Sequence, residues 1–309
     1  MNYSSLFCIF TILLVCSGCV HTPTQHYFSK IINCIKPKTP SVFTELPINH
    51  SCQERTITVW LHGTKAFFSK FICANFFYTR NGLHAALSFE PQYHLREIAE
   101  LLYAQSPQQF PIDDLYFFGW SGKLSFKARH KAAKKLYIQL CALINQYEQE
   151  LGVTPSIRLI THSHGGNVAL NLARYNNDMR IVIDELILMA CPVQDRTCHL
   201  TAHPMFKKIY SLYSRFDSIQ VLDPQWLYYL LKKDFTETPT EPASFFSKRD
   251  FPPLDKMLQV QLKLNSRGIM HIEFITNKFV GLLPVILEEI KQSESITPFS
   301  TNVLTIKLT

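Results

Sequence analysis

Several features that would name a function class outright are missing. There is no H-E-x-x-H motif and, beyond Cys16-Ser17-Gly18-Cys19 near the start, no C-x-x-C pair, so neither that type of metalloprotease nor a zinc ribbon is written in the chain. No dense Lys/Arg run is interleaved with aromatics, which argues against a nucleic-acid partner. Internal repeats and low-complexity tracts are also missing, which excludes solenoids and composition-driven tails. The N-terminal apolar run, Leu6 to Val15, is too short to span a bilayer comfortably and suits the core of a signal peptide.

What remains is a chain of 309 residues, 47% hydrophobic and 18% charged. That length can bury a large core, and one long domain fits it better than two. Its formal charge of +7 is mildly basic and leaves acidic membrane surfaces open as a partner.

The apolar run at the start is preceded by no Lys or Arg and ends at Cys16-Ser17-Gly18-Cys19. It resembles the bacterial lipoprotein signal, in which small residues precede a cysteine that becomes lipidated. Here Cys16 stands where Leu is usual. The resemblance implies a signal over residues 1–19, lipid on Cys19, and an exported protein anchored to the membrane of a bacterial cell envelope. An uncleaved anchor or an ordinary secretory signal stays open beside it. Residues 20–55, with Pro23, Pro37, Pro40 and Pro47 among polar residues, read as a tether. Beyond Cys19, six cysteines remain (Cys34, Cys52, Cys73, Cys141, Cys191 and Cys198), and six allow fifteen full pairings. Cys141 falls on the apolar stripe of a helix and is expected to be free.

From residue 56 onward, strand-like and helix-like stretches alternate. "TITVWLHGT" (56–64) and "DDLYFFGWSG" (113–122) read as strands that stop at glycine. "YHLREIAELLYA" places Leu95, Ile98, Leu101 and Leu102 on one helical face. "FKARHKAAKKLYIQLCALINQYEQEL" is a long amphipathic helix with Ala132, Leu136, Leu140, Leu143 and Tyr147 inward. Lys127, Arg129, His130, Lys131, Lys134 and Lys135 are expected on its solvated face. "DELILMAC" and "KKIYSLYSRFD" continue the strands, and "DKMLQVQLKL" (255–264) reads as the last. "HIEFITNKFVGLLPVILEEIKQ" (271–292) closes the fold as a helix with a kink at Pro284, and 293–309 read as a tail. This alternation predicts an α/β fold, a mostly parallel sheet with helices on both faces, over 56–292.

The chemistry centres on "SIRLITHSHGGNVALNLARY" (156–175), where an apolar strand turns into an apolar-striped helix at "THSHGGN". One reading is zinc hydrolysis through His162 and His164. A site of the T-H-x-H-x-D-H kind also needs a carboxylate at 166 and a histidine at 167, and this chain has Gly166 and Asn167. The other reading is a serine nucleophile, Ser163, on a strand-to-helix turn so tight that residues two before and two after must be small. Gly165 satisfies that need and Thr161 departs from the usual glycine. Gly166 would let the helix approach the sheet.

A serine needs a base, and the base an orienting carboxylate. The expected chain order is serine, acid, histidine. Asp217 follows "KKIYSLYS" and His271 follows the last strand, so these two are the candidates. Asp223 is the reserve acid and Asp195 a poorer third. An oxyanion hole needs two backbone N–H groups. His164, after the nucleophile, is one donor. Thr64, after the first strand, is the other, with Lys65 in reserve. His62 reads as a histidine that structures its loop.

With strand-His-Gly-Thr, T-H-S-H-G-G, Asp217 and His271 in this order, residues 56–292 resemble the α/β-hydrolase superfamily, in particular its lipase- and esterase-like serine hydrolases. The resemblance implies a cofactor-free enzyme, with no metal, that works through an acyl-enzyme on Ser163. Aromatic inserts at 65–94 (Phe67, Phe68, Phe71, Phe76, Phe77, Tyr78) and 224–253 (Trp226, Tyr228, Tyr229, Phe245, Phe246, Phe251) would suit an apolar acyl pocket or simply pack as core. A lipid or acyl-ester substrate is therefore expected. The rival from another class is a non-catalytic surface lipoprotein on a hydrolase scaffold.

Overall fold

The computed structural model describes residues 55–64, 79–221, 248–264, 267–296 and 303–308. In chain order its elements are β1 (Thr56–Leu61), β2 (Gly82–Ala85), α1 (His94–Gln105), β3 (Leu115–Gly119), α2 (Phe126–Leu151), β4 (Ser156–His162), α3 (His164–Leu170), β5 (Ile183–Met189), α4 (Asp195–Cys198), β6 (Phe206–Tyr213), α5 (Ser218–Val221), β7 (Met257–Leu264), β8 (Arg267–Gly268), α6 (Asn277–Ile296) and β9 (Val303–Leu308). The strands form one sheet in the order β2-β3-β1-β4-β5-β6-β7-β8, with β9 also paired to β7. Only β2 and β8 run antiparallel to their neighbours. The rest are parallel.

The central strands are apolar on both faces because both faces are covered. Ile57, Val59, Leu61, Ile157 and Leu159 pack with Leu136, Leu140 and Tyr147 of α2 and Val168 of α3. Trp60, Ile160 and Ile187 point the other way, into Leu95, Ile98 and Leu102 of α1 and Leu283, Ile286 and Leu287 of α6. Each such side chain, fully buried, contributes about 1.5–3 kcal/mol over an exposed one. The fold is α/β: a mostly parallel sheet flanked by helices on both faces.

The structure departs from the sequence expectations at β9, at β2 and at Arg129. "DKMLQVQLKL" is not the last strand, because β9 lies parallel to β7 over Gln259–Leu264 and buries Ile306. The first insert contributes a strand, β2, which caps the sheet edge against β3. Phe251 of the second insert follows the second of its two readings and packs as core, at 2% exposure. Arg129 is not on the solvated face of α2: it is fully buried, donates to Gln194 Oε1 at 3.2 Å and lies over the Phe126 ring. A helical-wheel count assigns that charge to water, whereas the guanidinium finds an amide and an aromatic face instead. Among the described residues, Cys141 and Cys198 are free thiols. Cys19, Cys34, Cys52 and Cys73, Lys65, Asp223, and most of the aromatic residues of the two inserts lie outside the described residues.

The sheet order also fixes where a site forms. From β1 the chain moves to β3 on one side and then to β4 on the other. The strand order thus reverses between β3 and β4 on either side of β1, and ligands of open α/β sheets bind at such a switch point, at the carboxyl ends of the strands. His62 follows β1 there, and Ser163 follows β4.

Candidate active site

Ser163 stands between β4 and α3 with φ 54° and ψ −132°. A non-glycine residue at positive φ is strained by contact of its own Cβ with the backbone, and such strain persists only where the surroundings enforce it. They do here. The Ser163 N–H donates to Met189 O at 2.8 Å, which fastens the turn to β5, and its carbonyl accepts from Gly166 N at 3.0 Å. A Cβ on Gly165 would sit 2.7 Å from the carbonyl oxygens of Leu61 and His62, and one on Gly166 would sit 2.5 Å from Cys191 Sγ. The turn is thus wedged between the β1 loop and the β5 loop, with no room for side chains. Thr161 takes the place of the usual small residue because its hydroxyl is used inside the sheet, donating to Ile187 O at 3.0 Å.

The β1 loop is held by His62. Its Nε2 accepts from the backbone N–H of Trp120 at 3.1 Å, so its proton is on Nδ1, 2.7 Å from Gly63 O. The Trp120 indole returns a bond to His62 O at 2.8 Å and stacks on the imidazole. The loop-structuring reading of His62 describes this geometry. Thr64 is the last described residue of that loop. His164 opens α3, so its N–H belongs to the first turn, whose amides point out of the helix.

Asp217 and His271 come together across 54 positions. Asp217 Oδ2 lies 2.8 Å from His271 Nδ1. The carboxylate is 1% exposed, and its Oδ1 accepts from Gln220 N at 3.0 Å. Asp195 is exposed on α4 and is not hydrogen-bonded to His271. Within the described residues the Ser163 hydroxyl is not hydrogen-bonded to His271 Nε2. Catalytic hydrogen bonds in general are often long without substrate and tighten only around it.

Three further groups hold this pair, and two of them, Ser214 and Arg249, carry no signal in the sequence. Ser214 Oγ accepts from Ile269 N at 2.8 Å and from Phe216 N at 3.2 Å, joining the loop of Asp217 to the loop before His271. Arg249 donates to Asp217 O at 2.7 Å and to Ser214 O at 3.3 Å. His162 was visible only as a possible zinc ligand. Here its ring packs against that of His271 at 4.7 Å between centroids, and its Nε2–H donates to His271 O at 3.0 Å. Burial, then the charge of neighbouring His271, pushes the His162 pKa well below the usual histidine value, so it stays neutral.

The zinc alternative does not fit this donor set. His162 is committed to His271, while His164 Nδ1 faces Asn167 Nδ2 at 3.5 Å. Among the described residues no three His, Cys, Asp or Glu gather where a metal ion could sit.

No family model and no curated protein matches this chain. Among solved structures it is similar to phospholipase PlaB of Legionella pneumophila, in complex with thio-NAD, at 14% identity and TM-score 0.27, over 44% of this chain and 25% of that one. The chain therefore spans about a quarter of the length of that phospholipase. It is also similar to a hyperthermophilic esterase from the archaeon Pyrobaculum calidifontis, at 14% identity and TM-score 0.37, over 92% of this chain and 95% of that one. A third is carboxyl esterase 2 of the fungus Tuber melanosporum, at 11% identity and TM-score 0.39, over 87% and 95%.

Proposed function

We propose that the chain is a serine hydrolase of carboxylic esters, acting through Ser163, His271 and Asp217. The observation that carries this reading is the buried Asp217–His271 pair, 2.8 Å apart, at the same sheet edge as a serine in a strained strand-to-helix turn. Asp217 accepts from Nδ1–H, which leaves Nε2 of His271 as the basic nitrogen. Nε2 takes the proton from Ser163 Oγ as that oxygen attacks the ester carbonyl. The tetrahedral oxyanion is met by the backbone N–H groups of Thr64 and His164. Collapse expels the alcohol, which receives the proton from His271, and leaves an acyl group on Ser163. Water then repeats the sequence and releases the acid. No cofactor takes part in these steps.

The substrate belongs to the lipid or acyl esters on this reading. A lipidated Cys19 would hold the enzyme at an envelope membrane where such esters are concentrated. Among the described residues no helix is long and apolar enough to cross a membrane. The test is hydrolysis of p-nitrophenyl esters of increasing chain length by the purified chain and by Ser163→Ala. Turnover that rises with acyl length and disappears in the variant supports the reading. Equal turnover in both proteins overturns it.

A further inference from the structure

A cavity of about 550 Å3 lies beside the loop that carries Asp217, lined among the described residues by Tyr213, Arg215, Val221, Lys248, Arg249 and Asp250. Neither Ser163 nor His271 lines it, and the proposed mechanism uses none of its side chains as a reacting group. Its described walls carry three cations against one carboxylate. The three cations are differently placed. Arg249 is fixed, because its guanidinium donates to the carbonyls of Asp217 at 2.7 Å and Ser214 at 3.3 Å. Those acceptors are neutral, so the positive charge is held in place without being cancelled. Arg215 and Lys248 are exposed on the two segments flanking it, and neither forms an ion pair with a described residue. Tyr213 closes the sheet side, its hydroxyl already engaged with Asp250; burial, then that carboxylate, pushes its pKa up.

Two guanidiniums, one of them fixed, and an ammonium around one concavity are a donor set for a group with three or more anionic or acceptor oxygens. A single carboxylate would leave most of these donors unused. The size of the cavity falls within the range of small-molecule sites. Beside it, Phe216 and Ile219 are 54% and 56% exposed, while Asp217 and Gln220 between and after them turn inward. The surface therefore offers apolar contact next to the cationic hollow.

We infer that this cavity binds a phosphate group, carried by an ester whose apolar part rests on Phe216 and Ile219. This deepens the hydrolase reading by naming phosphate-bearing acyl esters as its substrate class. The binding itself does not depend on that reading.

The test uses the full-length chain in non-ionic detergent, titrated calorimetrically with inorganic phosphate and with glycerol 3-phosphate at constant ionic strength. Saturable binding is expected, weakened about tenfold in Arg215→Ala and in Lys248→Glu. Both side chains are exposed, so at least one variant should keep the wild-type unfolding midpoint without phosphate, and that one is decisive. Binding to phosphatidylglycerol vesicles over phosphatidylcholine, lost in Lys248→Glu, would identify a lipid headgroup as the source. Phosphate binding without that preference would identify a soluble phosphate ester. Absence of saturable binding, or equal affinity in wild type and both variants, overturns the site. A wild-type chain that binds phosphate but leaves Ser163 unreactive towards a fluorophosphonate overturns the hydrolase reading alone.

Discussion

At the scale of single residues, groups proposed to react differ from groups that aim them. Asp217→Asn keeps the shape of the acid but presents an amide to Nδ1, which favours the wrong tautomer of His271. Hydrolysis should fall by about a thousandfold or more, with the fold and its unfolding midpoint little changed. His162 should behave differently. Its Nε2–H holds the carbonyl of His271, and its ring supports the other ring. His162→Ala is expected to lower kcat about tenfold with little change in KM, and His162→Gln, which keeps an N–H donor, to recover part of the loss. A fall in KM and kcat together, or no recovery by Gln, would contradict the positioning role. Ser163, Asp217 and His271 could be chosen from order alone, since each follows a strand end. The role of His162 could not, because a contact across 109 positions is fixed only when the sheet closes.

At the scale of elements, the elbow depends on two close approaches. Gly166→Ala would place a methyl group 2.5 Å from Cys191 Sγ and 2.9 Å from Leu188 Cδ2. Overpacking of this kind costs about 1–3 kcal/mol. Thermal unfolding should therefore begin several degrees lower. Cys191→Ala in the same chain removes the nearer atom and should restore part of the midpoint, a coupling that a double-mutant cycle measures. Gly165→Ala would meet backbone oxygens of β1 and its loop, which cannot turn aside, so no partner substitution is expected to rescue it. The elements themselves were largely legible. "IRLIT", "DELILMAC" and the stripe of α2 follow simple periods, and the structure places strands and a helix over them. The short strands β2 and β9 were not legible. Four residues such as "GLHA" have no period of their own, and "VLTIKL" becomes a strand because β7 offers it a free edge. Arg129 shows the same limit from the other side, since a period says which way a side chain points but not that Gln194 waits there.

At the scale of the whole molecule, β9 is a structural member of the sheet. Ile306 is fully buried against the α1 and α6 face. Ile306→Ala should therefore cost about 2–5 kcal/mol, read as a shift of the denaturant midpoint. Acid should also weaken the fold in a defined way. Burial lowers the pKa of His94 to about 3 and that of His162 well below 6.5. Both are neutral when folded, while the unfolded chain would protonate them below about pH 6.5. The unfolded state then binds more protons, so stability is full above that pH and falls as pH drops. The slope is about 1.4 kcal/mol per pH unit for each such histidine. His94→Gln should reduce the proton uptake on unfolding between pH 6 and 4 by about one. An unchanged pH slope in that variant would contradict the burial of a neutral His94.

The measurement that bears most directly on the central claim is mass-spectrometric mapping of a fluorophosphonate adduct on the folded full-length chain. One adduct is expected, on Ser163, lost in Ser163→Ala and much slowed in His271→Ala. A folded wild-type chain that forms no adduct even in detergent, or forms it at another serine at the same rate in all three proteins, would contradict it and leave a hydrolase scaffold without the chemistry.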